Sequence, residues 1–248
     1  IGKKVKNVTI WNNRLREPVQ ENLNDLLKDK IIKNIIRRGK FIIFELSKGS
    51  IVSHLGMTGK FLIQEELIDN KFNRVGLQFE DSSYLIYNDI RKFGFVTYAE
   101  ESSTNKYIKK LGYEPLDDSF TGNILYSIAK NNKKNVKVFL LDQSYIVGLG
   151  NIYVIELMYI CGINPLSKAM DLTPEICDDL VYEIKKILNK SIELGGSSIS
   201  DYRDAFDKEG SFQDRFNVYD KKKDPKGHDV LRIKQNGRST YYCPICQK

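Results

Sequence analysis

The period of the apolar residues changes near residue 119, and no other feature of the 248-residue chain constrains its fold as much. Before that point, short runs rich in Ile, Val, Phe and Tyr alternate in part with polar residues and are separated by turn residues, as is typical of β-strands. The predicted strands cover residues 5–10, 40–46, 50–55, 59–63, 74–79, 83–87 and 94–98. Because no helix-length segments separate these strands, we expect an antiparallel sandwich or barrel and not a parallel α/β sheet.

Beyond residue 119 the apolar residues recur at helical spacing. The predicted helices cover residues 120–130, 136–141, 152–161 and 174–194. The last helix has clear ends, because Thr173 can cap its first turn, Pro174 suits its first position and Gly195-Gly196 can stop it. The second half of the chain is therefore predicted to be helical.

The chain ends in two short β-like runs, residues 230–233 and 239–243, on either side of Asn236-Gly237. Asn-Gly between two such runs is a strong hairpin signal. The sequence thus predicts an α+β fold with two domains, an N-terminal antiparallel β-sandwich and a C-terminal helical domain with a β-hairpin. We place the β domain at residues 1–118, the helical domain at 119–212 and the hairpin segment at 213–248.

Charge and cysteine content narrow the class of protein. Lys and Arg number 39 against 32 for Asp and Glu, a formal net charge of +7, so a polyanionic partner is plausible. Four cysteines do not make a disulfide framework, and they favour a reducing, intracellular compartment. No run approaches the ~18 apolar residues that a membrane span needs, so we expect no membrane partner.

A glycine-rich loop, Gly148-Leu149-Gly150-Asn151, stands at the start of a predicted helix. Free N–H groups at a helix N-terminus favour an anion such as a phosphate. Several lysines, among them Lys137, lie just upstream and would strengthen such a site. An ordinary tight loop with Asn151 as the helix cap explains the same residues, and the sequence leaves both interpretations open.

The pair Cys243 and Cys246 has the spacing of a zinc knuckle. Tetrahedral zinc needs four ligands, and the usual partner pair of cysteines is absent. His228 is a possible third ligand and Asp229 a poor fourth, while two free thiols explain the pair equally well.

Two loops of the β half, residues 54–59 and 89–94, carry Met57, Arg91 and Phe93. Such side chains could act as wedges that replace an extruded base in a duplex. Alternatively, the two apolar residues belong to the core and the arginine pairs with a carboxylate. Composition does not separate these possibilities.

Taken together and in order, the motifs resemble the bacterial formamidopyrimidine-DNA glycosylases. The matching segments are Asn13-Arg14-Leu15-Arg16, Arg37-Arg38-Gly39-Lys40, residues 54–59, residues 89–94, Glu114-Pro115-Leu116, residues 147–153, Gly162-Ile163-Asn164-Pro165, residues 195–198, residues 210–213, Val218-Tyr219 and residues 237–247. The resemblance implies a β-sandwich, a helix–two-turn–helix module and a β-hairpin zinc finger, with DNA in the cleft between the two domains. It implies a monomeric, cytoplasmic bacterial protein that acts at the nucleoid and carries one zinc ion.

The same resemblance implies base-excision repair: release of an oxidised purine, such as 8-oxoguanine or formamidopyrimidine, and then strand cleavage at the abasic site through a Schiff base. The substrate would be duplex DNA with an oxidised base or an abasic site. Met57, Arg91 and Phe93 would fill the void of the flipped nucleotide, with Arg91 facing the orphaned cytosine. The other implied site residues are the catalytic group Lys40, Arg238 and Glu156, the DNA-facing group His54, Lys137 and Asn151, and the metal ligands Cys243 and Cys246.

Three departures from the family's pattern matter. The family's nucleophile is an N-terminal proline followed by a glutamate acid, whereas Ile1-Gly2-Lys3 matches the end of that first helix. We expect about one helix of sequence to precede Ile1; the alternative is a chain without these catalytic residues. Pro225-Lys226-Gly227 replaces Pro-Cys-x-x-Cys-Gly, and Asp89-Ile90-Arg91 replaces Asp-Pro-Arg.

Two other functions stay open at this point. One is an endonuclease VIII-like glycosylase that prefers pyrimidine lesions, although residues 54–57 and 211–219 look more like the purine-specific branch. The other is a non-catalytic binder of damaged DNA, which would follow if Ile1 is the true N-terminus.

Overall fold

The computed structural model describes residues 1–197 and 209–248, which divide into two compact units. Unit 1 comprises Ile1–Lys109 with Ser197–Gly210, and unit 2 comprises Lys110–Gly196 with Ser211–Lys248. Ser198, which closes one of the matching segments, lies outside the described residues. The hairpin lies in the same compact unit as the helices. The predicted domain boundaries after residue 118 and after residue 212 stay predictions.

The described part of unit 1 is built from two four-stranded antiparallel sheets and one short α-helix, besides a 3₁₀ helix at Ser102–Thr104. Its elements are β1 Val5–Ile10, α1 Leu23–Leu27, β2 Ile32–Arg38, β3 Phe41–Leu46, β4 Ser50–His54, β5 Gly59–Gln64, β6 Asn73–Phe79, β7 Tyr84–Asp89 and β8 Phe95–Ala99. One sheet has the strand order β1-β6-β7-β5 and the other β2-β3-β4-β8. One apolar core takes side chains from both sheets, including Phe44 on β3, whose ring lies 5.1 Å from that of Phe61 on β5. The predicted β-sandwich is confirmed.

All seven predicted strands are present, but the sequence reasoning missed β2. This edge strand reads Ile-Lys-Asn-Ile-Ile-Arg-Arg, and its residues 33–37 are all exposed. A strand that buries neither face shows no alternation of apolar and polar residues, so its pattern resembles a loop. The short helix α1 was missed as well, because five residues are too few to show a helical period.

Unit 2 contains four α-helices and the hairpin, besides two 3₁₀ helices at Ala169–Asp171 and Phe212–Arg215. Its elements are α2 Gly122–Ala129, α3 Val136–Leu140, α4 Asn151–Ile160, α5 Pro174–Glu193, β9 Leu231–Gln235 and β10 Arg238–Tyr242. Helix α4 is buried along Val154, Ile155, Glu156, Leu157 and Met158; α3 and α5 pack against it, and α2 packs against α5. All four predicted helices are confirmed to within two residues at each end.

The residues predicted to start and stop helix α5 and to form the hairpin turn do so in the structure. The Thr173 side chain accepts the Ile176 N–H at the start of α5, and Gly195 and Gly196 follow the helix with positive φ. In the hairpin, Asn236 and Gly237 both have positive φ, 45° and 76°, as a type I′ turn requires. None of the described helices combines the length and apolarity needed to span a membrane.

Candidate nucleic-acid interface and metal centre

Two loops of unit 1 present the predicted wedge residues. The first follows β4 and carries Met57, which is 62% exposed; the second follows β7 and carries Arg91 and Phe93, the latter 48% exposed. The Arg91 guanidinium lies 4.7 Å from the centroid of the Phe93 ring, a cation–π distance. The structure therefore places all three side chains on the surface and excludes the alternative that Met57 and Phe93 belong to the core.

Asp89 joins the two loops. Its carboxylate is fully buried and accepts the Thr58 hydroxyl at 2.6 Å, the Arg91 N–H at 3.2 Å and the Gly94 N–H at 3.0 Å. The Tyr87 hydroxyl donates to the same carboxylate at 3.3 Å. Because Thr58 belongs to the first loop and Arg91 to the second, one carboxylate fixes the position of both.

The backbones of the two loops also pack closely against each other. Gly56 has φ +65°, and a Cβ there would lie 2.5 Å from the Phe93 carbonyl carbon, so only glycine fits. Ile90 stands where the family has proline, which removes one constraint on the second loop. Hydrogen bonds to Asp89 supply the constraint instead. The sequence analysis included Asp89 and Thr58 in matching segments but gave them no role, although an aspartate that ends a strand two residues before an exposed arginine is a usable signal.

His54 lies at the end of β4, next to these loops. Its ring lies 5.0 Å from that of Phe41 and 6.2 Å from that of Phe95, and its Nδ1 accepts the Gly56 N–H at 2.9 Å. Nδ1 is therefore the acceptor of the neutral ring, which leaves the proton on Nε2. Burial, followed by the charges of Arg16 and Lys40, lowers the pKa of His54 to about 4.

Lys40 is exposed and precedes β3, whose first residue, Phe41, pairs with His54. Lys40 and His54 thus lie at the same end of the β3–β4 strand pair. The structure brings this predicted catalytic lysine and this predicted DNA-facing histidine together within unit 1.

In unit 2, the predicted phosphate ligands meet at the backbone carbonyl of Ser239. Lys137 is 1% exposed, and its Nζ donates to the Ser239 carbonyl at 3.0 Å and to the Thr240 hydroxyl at 2.6 Å. Asn151 Nδ2 donates to the same carbonyl at 3.1 Å. Arg238 is the exposed neighbour of Ser239 on β10. Burial, assisted by the charge of Arg238, lowers the pKa of Lys137 to about 8.

Asn151 is the first residue of α4, and Gly150 caps that helix without a side chain. The first N–H groups of a helix have no partner within the helix, so they can donate to a phosphate. Asn151 Oδ1 is buried and has no hydrogen-bond partner among the described residues. The asparagine side chain therefore does not cap the helix. This excludes the alternative of an ordinary tight loop in which Asn151 is the helix cap.

Glu156, the predicted acidic site residue, is 1% exposed on α4. Its carboxylate accepts four N–H groups: the Asn217 backbone at 2.7 Å, the Asn217 side chain at 2.9 Å, and the backbones of Val218 at 3.0 Å and Tyr219 at 2.8 Å. These contacts engage both oxygens. In this structure Glu156 positions residues 217–219, and its catalytic role stays a prediction.

Cys243 and Cys246 follow β10, and the structure brings Asp224 and His228 to them. One ligand atom from each of the four residues lies within 4.8 Å of the others. Asp229, the poor fourth candidate, instead pairs with Lys223 at 3.0 Å. Two sulfurs, an imidazole nitrogen and a carboxylate oxygen are all donors that zinc accepts, so the residues fit this metal.

Both units match domain models of DNA glycosylases. The model described as formamidopyrimidine-DNA glycosylase N-terminal domain matches residues 1–96, and the formamidopyrimidine-DNA glycosylase H2TH domain matches residues 111–203. The formamidopyrimidine-DNA glycosylase of Wolbachia pipientis subsp. Culex pipiens is 41% identical over 99% of this chain and 93% of its own length. That of Escherichia coli is 34% identical over 100% of this chain and 93% of its own length.

Solved structures agree with these relatives. The Lactococcus lactis Fpg in complex with DNA containing an abasic site is 32% identical, with a TM-score of 0.89 over 100% of this chain and 93% of that one. A structure of MutM with DNA containing carbocyclic 8-oxo-G is 34% identical, with a TM-score of 0.90 and the same coverage. The chain belongs to the formamidopyrimidine-DNA glycosylase family.

The lowered pKa of His54 predicts how stability depends on pH. An unfolded histidine has a pKa of ~6.5, so between about pH 6.5 and pH 4 the unfolded chain binds a proton at His54 that the folded chain does not. Stability present above that range is therefore lost as the pH falls through it. The His54→Gln variant lacks this loss, so the free energy of unfolding of the wild type should fall relative to that of the variant. Urea unfolding at several pH values measures the difference; a difference independent of pH would contradict the burial of a neutral His54.

Proposed function

We propose that this protein is a bifunctional DNA glycosylase that removes oxidised purines from duplex DNA and then cleaves the strand at the abasic site. The substrates are 8-oxoguanine and formamidopyrimidine lesions. Membership of the family supports this assignment, as do relatives whose solved structures contain DNA with an abasic site or 8-oxo-G. The observation that carries it for this chain is the surface triad Met57, Arg91 and Phe93 on two joined loops.

The triad has the properties that nucleotide flipping requires. Extruding a base costs a few kcal/mol of stacking and pairing, and inserted side chains offset part of this cost. A wedge can do so only if it is already exposed and held in place. Met57 and Phe93 supply exposed apolar surface, while Arg91 can donate to the base left without its partner.

Positive charge and helix-end amides would hold the backbone of the DNA. In unit 1, Lys40 is the proposed phosphate contact next to the lesion. In unit 2, Arg238 and Asn151 with the first turn of α4 would bind flanking phosphates, because bidentate arginine and helix-terminal N–H groups both suit a phosphate. Lys137 is proposed to support this surface from beneath, since its Nζ already binds the Ser239 carbonyl and the Thr240 hydroxyl.

The chemistry follows from the resemblance to the family, which assigns the attack to an N-terminal proline amine and the acid role to the next glutamate. In the family these residues precede the position of Ile1. A terminal amine has a pKa near ~8, so part of it is unprotonated at neutral pH. Its nitrogen bonds to the sugar C1′ as the bond to the base breaks, and the base leaves with a proton. The C1′–O4′ bond then breaks, with O4′ taking a proton as the sugar ring opens, and this gives the Schiff base. The Schiff base acidifies C2′–H; a base takes that proton, a C2′–C3′ double bond forms, and the 3′ phosphate leaves, which cuts the strand.

We also propose that the hairpin holds one zinc ion, with Cys243 and Cys246 among its ligands. Such an ion supplies a structural cross-link and takes no part in the reaction. We place the protein in the bacterial cytoplasm, where it would act on the nucleoid.

The direct test uses the protein as its host makes it. We expect release of 8-oxoguanine from a duplex, faster than release of thymine glycol, and a covalent adduct with an abasic-site duplex after borohydride reduction. Faster release of thymine glycol would indicate an endonuclease VIII-like enzyme. Binding without release and without an adduct would indicate a non-catalytic binder of damaged DNA, and would refute the proposal.

A second prediction concerns two exposed lysines at opposite ends of the β3–β4 strand pair. Lys40 lies at the His54 end, and Lys48 lies in the turn between the strands. We expect Lys40→Ala to weaken duplex binding and to lower the slope of log affinity against log salt by about 1, the value for one phosphate contact. The matched control Lys48→Ala should leave both unchanged. Equal effects of the two substitutions on binding would contradict the proposed DNA-facing end of the sandwich.

A further inference from the structure

The ligand cluster at the base of the hairpin differs from the four-cysteine pattern of the family. Cys246 Sγ lies 3.2 Å from Asp224 Oδ2 and 3.4 Å from His228 Nδ1, and these two atoms lie 3.2 Å from each other. Ligand atoms that share one tetrahedral zinc ion are about 3.3–3.8 Å apart, given bond lengths of ~2.0–2.3 Å. Three of the four donors therefore already have nearly the separations that one ion requires.

Asp224 is held so that one oxygen faces the cluster. Its Oδ1 accepts the Lys226 N–H at 2.9 Å and the His228 N–H at 2.8 Å, and so stabilises the turn. Its Oδ2 points toward His228 Nδ1 and Cys246 Sγ, and accepts the Tyr159 hydroxyl at 3.2 Å. A ligand whose second oxygen is fixed by backbone amides has its direction set before a metal binds.

The sequence around Asp224 forms the kind of turn that a ligand pair needs. Asp224-Pro225-Lys226-Gly227-His228 separates two donors by three residues, within the usual spacing of two to four for zinc ligands. Gly227 has φ +87°, so the chain reverses there at no steric cost, and its N–H donates to the Asp224 carbonyl at 3.0 Å. The turn thus presents one pair of donors opposite Cys243 and Cys246.

Burial favours a cation at this place. The Asp224 side chain is 0% exposed and Cys243 is buried, so a carboxylate and a thiol lie together away from water. Hydrogen bonds satisfy the oxygens of Asp224 in part, and a bound divalent cation would offset the negative charge that remains buried. Exposed carboxylates are hydrated and do not need a cation in this way. Burial therefore favours Asp224 over the exposed Asp229 as a metal ligand.

We propose that Asp224 and His228 replace the second cysteine pair of the family, and that they hold zinc together with Cys243 and Cys246. The inference deepens the proposed zinc centre and does not depend on the glycosylase reaction. With two thiolates, one carboxylate and a neutral imidazole, the occupied site carries one negative charge, whereas four thiolates would give two. Tyr159 belongs to α4 and bonds Asp224, so the metal site also joins the hairpin that carries Arg238 to that helix.

Metal content and ligand type test this assignment. In the protein as its host makes it, we expect one zinc per chain by elemental mass spectrometry. Replacement by Co²⁺ should give charge-transfer absorption from two thiolates and not from four. Zinc-free wild-type protein would overturn the zinc centre itself, and a four-thiolate spectrum would overturn the ligand set.

Variants separate the ligand set from the presence of zinc. Asp224→Asn and His228→Ala should each weaken zinc binding at least about tenfold in competition with a chromophoric chelator. Asp229→Asn is the matched control, because Asp229 neighbours His228 but has an 81% exposed side chain, and it should bind zinc as the wild type does. The Asp224→Cys variant should retain zinc and show stronger thiolate absorption with Co²⁺, which a merely structural role for Asp224 would not produce. Wild-type zinc affinity in both Asp224→Asn and His228→Ala would refute the assignment while leaving the zinc centre intact.

Discussion

A buried carboxylate that accepts backbone N–H groups is the interaction on which the functional parts of this molecule depend. Among residues 1–197 and 209–248 it occurs three times. Asp89 binds the amides of residues 91 and 94, Glu156 those of residues 217–219, and Asp224 those of residues 226 and 228. Each amide belongs to a loop outside the sheets and helices, where no ladder or helical turn would satisfy it. Hydrogen bonds to a charged acceptor are stronger than neutral ones, and a buried acceptor costs most when its donors are lost. Each loop therefore has one favoured conformation.

This arrangement explains how a protein with two folding units can recognise a distorted duplex. In unit 1, the proposed wedge side chains stand exposed on loops that Asp89 holds, so entering DNA would require little further ordering of these loops. In unit 2, Lys137 and Asn151 both bind the Ser239 carbonyl, which fixes Arg238 beside the N-terminus of α4. The proposed zinc ligands extend the same principle to the base of the hairpin.

The sequence allowed the β-sandwich, the four helices and the hairpin to be predicted, because periodicity, Thr173, Gly195-Gly196 and Asn236-Gly237 are local signals. It did not allow β2 to be predicted, since an edge strand with exposed residues on both faces has no pattern. Within the site, the exposed residues Met57, Arg91 and Phe93 could be named from motifs. Glu156 could be named only from the resemblance, and Asp89 and Asp224 received no role, because what these carboxylates bind depends on the fold: Glu156 lies 61 residues from Asn217, and Asp224 lies 22 from Cys246. Asp229 was considered as a ligand because the sequence shows that it is next to His228 but does not show that its side chain is exposed.

We propose that buried carboxylates position the loops that would act on DNA, and a substitution of Asp89 tests this proposal. Asp89→Asn keeps the size of the side chain but removes one acceptor oxygen and the charge. Asp81→Asn is the control, because Asp81 also accepts a backbone N–H, from Ser83 at 3.1 Å, but is exposed on a turn. The measurement is the single-turnover rate of 8-oxoguanine release, at a temperature where circular dichroism shows each variant folded. We expect a rate at least about tenfold lower for Asp89→Asn, since misplacing reacting groups by about 1 Å costs up to ~100-fold, and an unchanged rate for Asp81→Asn. A folded Asp89→Asn protein that releases the base at the wild-type rate would contradict this proposal.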